Sequence, residues 1–565
     1  MAGSRDKNLI PEDVKPPKND SFDLIIDPWL DCVFQDGSKK TMGIRGVLAD
    51  AHEINALAFD DPMQDPAVFR TLLAVLYRAL DPLTVDDWKA IWSSGRLPSD
   101  RLDAYFDSHA DDFWLHGASK SFMQTMSAEP NSALKPLSSL IPTPTGLGTM
   151  FPNVTGDAAN KMSCPQLARW VITCNSYDRC AAHSGFKGDP EMRNGISYAS
   201  MPYLGQLAVV RLKTSSLFRD LMLALVPLDS GFFTSMQNEP ETVDDLYSPT
   251  SLRELSAGVP SWEKPDLTPG HDGTAKSKLT PDTVEDCLTW RSRRIKVYYD
   301  GDGEGEPAQV LLSPGQHVTL EDQQGLEPMA AWRARQEKKD SPVHWAPVRY
   351  SADKAFWRGL SPLLAATSST IPPMTLRWAS KLCDDGILPA GYVGHVTVET
   401  CRYDSSMSSL VTDFLVDKVD LPLKIVNDLK LTRVVTDAVS LAENAVKAYG
   451  LMVQRQRVAS GEDMETANAE RQTRQSIAYR TVGDKFMEWL PQVASMDSPL
   501  LEWWEIMSRN VKDMAEDYVR QATPNAMVGK MVGKTLYSAA AARTTFYASM
   551  NAMRKEINET TAEEQ

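Results

Sequence analysis

Apolar residues recur every three or four positions through the C-terminal part of the chain. One stripe is Val435, Ala438, Val439, Ala442, Ala445, Val446, Tyr449 and Met452; a second is Leu500, Trp503, Met507, Val511, Met514 and Tyr518; a third is Val532, Leu536, Ala539, Ala542, Phe546 and Met550. With Ile477 to Val493 they predict four helices, broken near Ser460-Gly461, Met496-Asp497-Ser498 and Thr523-Pro524. Such stripes cannot be buried by isolated helices, and breaks this short turn each helix back on its predecessor. The expected architecture over 404–565 is an antiparallel four-helix bundle. No Glu-x-x-His pairs face inward from these helices, so a di-iron bundle is not supported.

A chain of 565 residues is longer than one hydrophobic core usually serves. Residues 1–403 therefore read as a separate, large mixed domain, and the whole as α+β. Ser21 to Leu30 reads as a short buried strand stopped at Asp27-Pro28, and Ala49 to Ala58 as the start of a helix. Pro66 opens a helix carrying Val68, Leu72, Leu76 and Leu80, and Thr84 is placed to cap another. Leu204 to Leu228 reads as a strand and then a helix, and Gln237 to Asp286 as a polar surface excursion. No apolar run reaches the roughly 18 residues needed to cross a bilayer, and the N-terminus lacks a secretory core, so a cytoplasmic location without membrane contact is expected.

Between Leu115 and Lys187 helical periodicity is lost except at Leu167 to Ile172. Pro130, Pro136, Pro142, Pro144 and Pro152 alternate there with Gly146, Gly148 and Gly156, and Ser184-Gly185-Phe186-Lys187-Gly188 closes the stretch. This is loop chemistry, and long loops in compact domains usually carry function. Cys164, Cys174 and Cys180 with His183 compose either a thiolate and imidazole zinc site or separate reduced thiols in a core. They lack the Cys-x-x-Cys spacing that fixes two thiolates on one turn, which favours the thiols.

The net charge of −16 excludes long-range attraction of a polyanion to the whole surface. A nucleic acid would have to meet local cations or basic partners. Two stretches offer them: Thr289 to Tyr299, where Arg291, Arg293, Arg294 and Lys296 alternate with apolar residues, and Trp332 to Lys339. The alternative is a solvated strand edge blunted by charge. Asp300 to Gly305 reads as a turn; it lacks the twelfth-position Glu of an EF-hand. Phosphate-binding, zinc-protease, nucleophile-elbow and dinucleotide motifs are all missing, the histidines are scattered singly, and the acid pairs diverge. An enzyme or cofactor site is not expected.

Four motifs in order, Phe22 to Leu30, Asp50 to Leu57, Phe122-Met-Gln-Thr125 and Ser184 to Lys187, with the bundle behind them, resemble the large, CasA-type subunit of Cascade, the type I-E CRISPR RNA-guided surveillance complex. That resemblance implies a subunit that is not an enzyme. It would sit at the 5' handle of the guide CRISPR RNA among other Cascade subunits, read the protospacer-adjacent motif of target double-stranded DNA, help open the duplex into an R-loop and recruit a helicase-nuclease effector. By the same resemblance Phe151 and Asn153 would lie near the RNA handle, and Ser184, Gly185, Phe186 and Lys187 would approach the minor groove. Val393, Gly394 and His395 would form the tip of a wedge. Three features depart from the family pattern: Ser184 stands where a glycine is usual, Val396 where a glutamine wedge is usual, and Gln316 with His317 where a minor-groove lysine is usual. The cysteine-rich insertion of some members is also missing, since no cysteine lies between Cys287 and Cys383. The alternative is a structural docking subunit of a ribonucleoprotein assembly that does not read the motif.

Overall fold

The computed structural model describes residues 10–11, 13–143, 161–233, 257–274, 276–336, 338, 341–351, 354–404 and 411–563. The fold is α+β, and the chain divides into two compact units. The first comprises 1–349, 367–378 and 396–418; the second comprises 350–366, 379–395 and 419–565. The second unit thus takes in two segments from before residue 404. One of them explains itself: Trp357 is buried with its ring 5.1 Å from that of Phe486, and the Arg358 guanidinium donates to Glu443 at 2.8 Å.

In the first unit, Leu30–Phe34 is the central strand of an antiparallel sheet between Lys39–Met42 and Ile54–Leu57. The expected single strand over Ser21 to Leu30 is instead two, because the Asp27 carboxylate accepts from the Asp23 amide at 2.8 Å and closes a turn between them. The helix expected from Ala49 is also corrected. Helix Ile44–Ala49 ends there, and Ile54–Leu57 extends against Leu30–Phe34 because pairing along that strand outweighs local helical spacing. Helix Gln64–Ala79 carries Pro66 in its first turn and is buried along most of its length. Thr84 caps Val85–Ser94 through a reciprocal pair with Asp87, and Gly95 ends it in the left-handed region at φ 70°. The described end of the Gln237 to Asp286 excursion has a core after all. Trp262 is buried, stacked 5.2 Å from Phe122, and its indole nitrogen donates to the Tyr105 hydroxyl at 2.9 Å.

A second sheet positions the candidate site. Arg293–Tyr299 pairs with Pro307–Pro314, which pairs in turn with the edge strand Lys135–Pro136. The Gly301–Gly303 turn joins the first two strands, as the sequence predicts for Asp300 to Gly305. A hairpin of Ala182–Ser184 and Ile196–Tyr198 packs against Pro307–Pro314. Between His317 and Leu320 the chain makes one bridge, from Val318 to Leu279. A third sheet places Val393–Tyr403 between Ala208–Lys213 and Val411–Pro422.

In the second unit, Leu429–Ala459 packs against Met464–Trp489, Pro499–Arg520 and Ala539–Glu563. Asp428 caps the first of these by accepting from the amides of Lys430 and Leu431. The predicted breaks fall where the helices end. Val532 and Leu536 do not begin the last helix: they lie in a hairpin of Lys530–Val532 and Thr535–Tyr537, turned at Gly533 with φ 61°.

Candidate nucleic-acid interface

The Ser184 to Lys187 stretch is not a free loop. Ser184 ends a strand, and its carbonyl accepts from the Ser313 hydroxyl at 2.8 Å. The Gly185 amide donates to the Gly195 carbonyl at 3.0 Å, and a Cβ at Gly185 would lie 2.5 Å from the Met192 sulfur, so the backbone there is held close to its neighbour. Phe186 is buried, its ring beneath the Arg294 guanidinium at 4.2 Å. A ring in that position packs against the sheet. Lys187 is exposed. Its amide donates to the Glu129 carbonyl and its ammonium pairs with the Glu129 carboxylate at 2.9 Å, which holds that carboxyl below its usual range.

The turn from Gly188 to Gly195 brings Gln316 into the same neighbourhood. Glu191 lies 3.3 Å from the His317 ring, whose other nitrogen meets the Ser200 hydroxyl. His317 is buried, burial lowers its pKa, and its ring links these segments. Gln316 itself is half-buried. Its amide donates to the Arg291 carbonyl at 2.9 Å and its carbonyl accepts from Trp290 at 3.2 Å. Exposed cations lie near His317 on another segment. Leu279 bonds to the backbone of His317 and Thr319, and beside it Lys276 and Lys278 are exposed. No short-range sequence signal connects 278 to 317; a parallel bridge does.

The two basic stretches separate. Every residue of Arg293–Tyr299 is buried, so this is neither a patch nor a solvated edge. Arg293 donates to the Asp178 carboxylate at 2.5 Å, Arg294 to Asp272 at 2.5 Å, and the Lys296 ammonium to the carbonyls of Met126 and Ala128. Buried cations persist only when paired, and these pairs staple the sheet to the chain around it. Arg333, Arg335 and Lys338 remain exposed, while Trp332 is buried.

Val393, Gly394 and His395 open an eleven-residue strand, so they are not the tip of a hairpin. The connection to the next strand runs from Tyr403 to Val411 instead. His395 is exposed and bonds to Asp420 on the paired strand at 2.5 Å. Phe151 and Asn153 lie outside the described residues. The zinc reading fails on geometry: Cys164 and Cys174 sit ten positions apart on one helix, roughly 15 Å at 1.5 Å per residue. Cys164 contacts His116, Cys180 donates to the Ala199 carbonyl, and His183 is enclosed by Asp178. Among the described residues no three metal-ligating side chains converge, and no described helix is long and apolar enough to cross a membrane.

Comparison with known proteins gives this surface a context. The chain is 25% identical over 399 residues to the CRISPR-associated protein CasA/Cse1 of Thermus thermophilus, covering 69% of each. The solved structure of Thermobifida fusca Cse1 superposes with a TM-score of 0.77 at 24% identity, over 94% of this chain and 98% of that one. A chain of a CRISPR RNA-guided surveillance complex superposes with a TM-score of 0.64 at 16% identity, over 94% and 100%. The family described as CRISPR-associated protein Cse1 matches residues 23–554. This chain therefore belongs to the CRISPR-associated Cse1 family.

Proposed function

We propose that this chain is a non-catalytic subunit of an RNA-guided antiviral complex, assembled with guide CRISPR RNA and the other Cascade subunits in the cytoplasm. It checks the protospacer-adjacent motif of double-stranded target DNA, promotes duplex opening and R-loop formation, and recruits the helicase-nuclease. The observations that carry this reading are the exposed Lys187 and Arg193 on one turn, and the exposed Lys276 and Lys278 on the segment that bridges to Val318. Isolated cations around a closely held backbone suit a narrow groove whose code is degenerate, and they leave sequence reading to guide pairing. With Phe186 buried, contact rests on Lys187, on the Ser184-Gly185 backbone and on the exposed Tyr198 and Ile196 at the hairpin's other strand. The roles proposed for Phe151 and Asn153 at the RNA handle rest on family resemblance, as does any wedge role for Val393 to His395.

The test is duplex binding by the assembled complex. Lys187→Ala is expected to weaken motif-bearing DNA more than motif-lacking DNA; equal retention of both duplexes, with or without this chain, overturns the reading. A second reading, a docking subunit that does not touch the motif, is favoured by one fact: Glu129 already occupies Lys187. Footprinting that leaves the motif unprotected in a fully assembled complex would establish that second reading.

A further inference from the structure

The hairpin of Lys530–Val532 and Thr535–Tyr537 is fastened to the bundle by one face. On that face Tyr537 packs against the buried Ala459, Ala526 and Ala539, and the Arg455 guanidinium stands 6.0 Å from its ring. Strand alternation turns Met531 and Leu536, directly opposed across the hairpin, to the other side. A Cβ at Gly529 would lie 3.2 Å from the Leu536 side chain, so Leu536 rests on the backbone that follows Met527 and Val528. Val528 is 83% exposed, and Met527, Met531 and Leu536 are each exposed by half or more. Elsewhere among the described residues large exposed apolar side chains stand singly, apart from Ile196 and Tyr198. Scattered ones are ordinary on a folded surface, whereas a cluster marks a site of interaction.

The charge around this cluster runs against that of the chain. Net charge is −16, yet no Asp or Glu occurs between Asp517 and Glu556. Within that interval Arg520, Arg543 and Arg554 pair with Asp517, Glu516 and Glu505. Lys530 and Lys534 are exposed on the hairpin, and among the described residues neither ammonium has an ion-pair partner. An apolar centre flanked by unpaired cations complements a protein surface of apolar residues flanked by carboxylates. Nucleic acid suits it less, because none of the four side chains is aromatic and no ring is offered for a base to stack on. Four side chains also fall short of the roughly 2,000 Å² or more of a permanent interface, and fit a partner that binds and leaves. Resting on the reading that this chain recruits a helicase-nuclease, we infer that Met527, Val528, Met531 and Leu536 form the docking site for an apolar, carboxylate-flanked segment of that visiting protein, with Lys530 and Lys534 steering its approach.

The experiment titrates the helicase-nuclease against the full RNA-loaded complex on a motif-bearing duplex. It compares the parent with three double variants: Met531→Ser with Leu536→Ser, Lys530→Glu with Lys534→Glu, and Lys530→Arg with Lys534→Arg. The serine and glutamate variants are each expected to weaken capture about tenfold; the loss from the glutamates shrinks as salt rises, and the arginine variant keeps parental capture. Assembly with the RNA-bearing remainder of the complex and affinity for the duplex stay at parental values in all three. If thermal unfolding shows the serine variant to be unstable, the two lysine variants decide the question. Parental capture by the serine and glutamate variants overturns the site, while recruitment through another surface survives. A parent complex that captures no helicase-nuclease removes the recruitment reading and the site with it. A loss at assembly places the cluster against a neighbouring subunit, and a loss of duplex affinity places it on nucleic acid. A parent chain that sediments as a dimer, with the serine variant a monomer, places it against a second copy. Each of these three results also overturns the site.

Discussion

The guanidinium of Arg294 lies 4.2 Å over the ring of Phe186, and that residue is 3% exposed. Phe186 therefore anchors the turn that presents Lys187. Phe186→Ala is expected to lower stability by about 3–5 kcal/mol through the cavity it leaves. Phe186→Leu refills much of that volume and should cost less than about 1.5 kcal/mol. In the assembled complex Phe186→Leu should retain duplex affinity, whereas removal of a base-stacking ring would forfeit about 1–3 kcal/mol. Thermal unfolding together with duplex titration separates the two roles.

Lys187 and Glu129 pair at 2.9 Å with both side chains mostly in solvent. Exposed pairs are readily exchanged, so an acceptor on a base edge in the groove can replace the carboxylate. Glu129→Gln should leave thermal stability unchanged and tighten duplex binding, because it frees the ammonium and removes an anion facing the DNA. In the double variant with Lys187→Ala most of that gain should vanish. A Glu129→Gln complex that binds more weakly than the parent would place this pair outside the interface.

These two pairs show where sequence reasoning reached and where it stopped. The bundle helices were legible because their stripes persist over many turns, and Thr84 was legible because a cap is decided within four residues. The Arg293–Tyr299 strand was legible as a strand, but not its burial, because alternation of basic and apolar residues reads as one wet face. Its partners Asp178 and Asp272 are distant in sequence. Lys278 escaped notice for the same reason, since its segment meets that of His317 only through the Leu279 bridge to Val318. Val532 and Leu536 misled by continuing a helical spacing across Gly533, where backbone geometry permits a turn instead.

His183 and His116 should make the first unit sensitive to mild acid. Burial is the main cause in both, and it lowers the pKa of His183 to about 3, beside Asp178 and Arg293, and that of His116 to about 4. The His116 ring nitrogens meet the Ser21 hydroxyl at 3.2 Å and the Cys164 sulfur at 3.5 Å, with Tyr299 against its face. In the unfolded chain each histidine takes its proton near pH ~6.5. The folded values lie below that, so this contribution is complete above about pH 6.5 and is lost as pH falls toward the folded values, by about 2 kcal/mol per histidine at pH 5. Asp220, whose pKa burial raises to about 6, acts in the opposite direction, so the comparison must be between variants. His116→Gln should be less stable than the parent at pH 7, and that gap should narrow by about 2 kcal/mol at pH 5 in urea unfolding. A constant gap would mean that His116 takes up its proton equally readily in the folded and unfolded states.

Gly483 and Gly450 lie within helices of the second unit, where alanine ordinarily adds about 0.5–1 kcal/mol of stability by restricting the unfolded chain. A Cβ at Gly483 would lie 2.4 Å from the indole nitrogen of Trp357, a buried ring already packed on Phe486, which has nowhere to move. At Gly450 the atoms in the way belong to the end of the Gln475 side chain, at 2.5 Å, and that chain can swing aside. Gly483→Ala is therefore expected to destabilise the helical unit by about 1–3 kcal/mol, as overpacking does. Gly450→Ala should be close to neutral or mildly stabilising. Measuring both by thermal unfolding tests whether Trp357 holds its segment against the bundle, because a flexible tryptophan would let the two alanines behave alike.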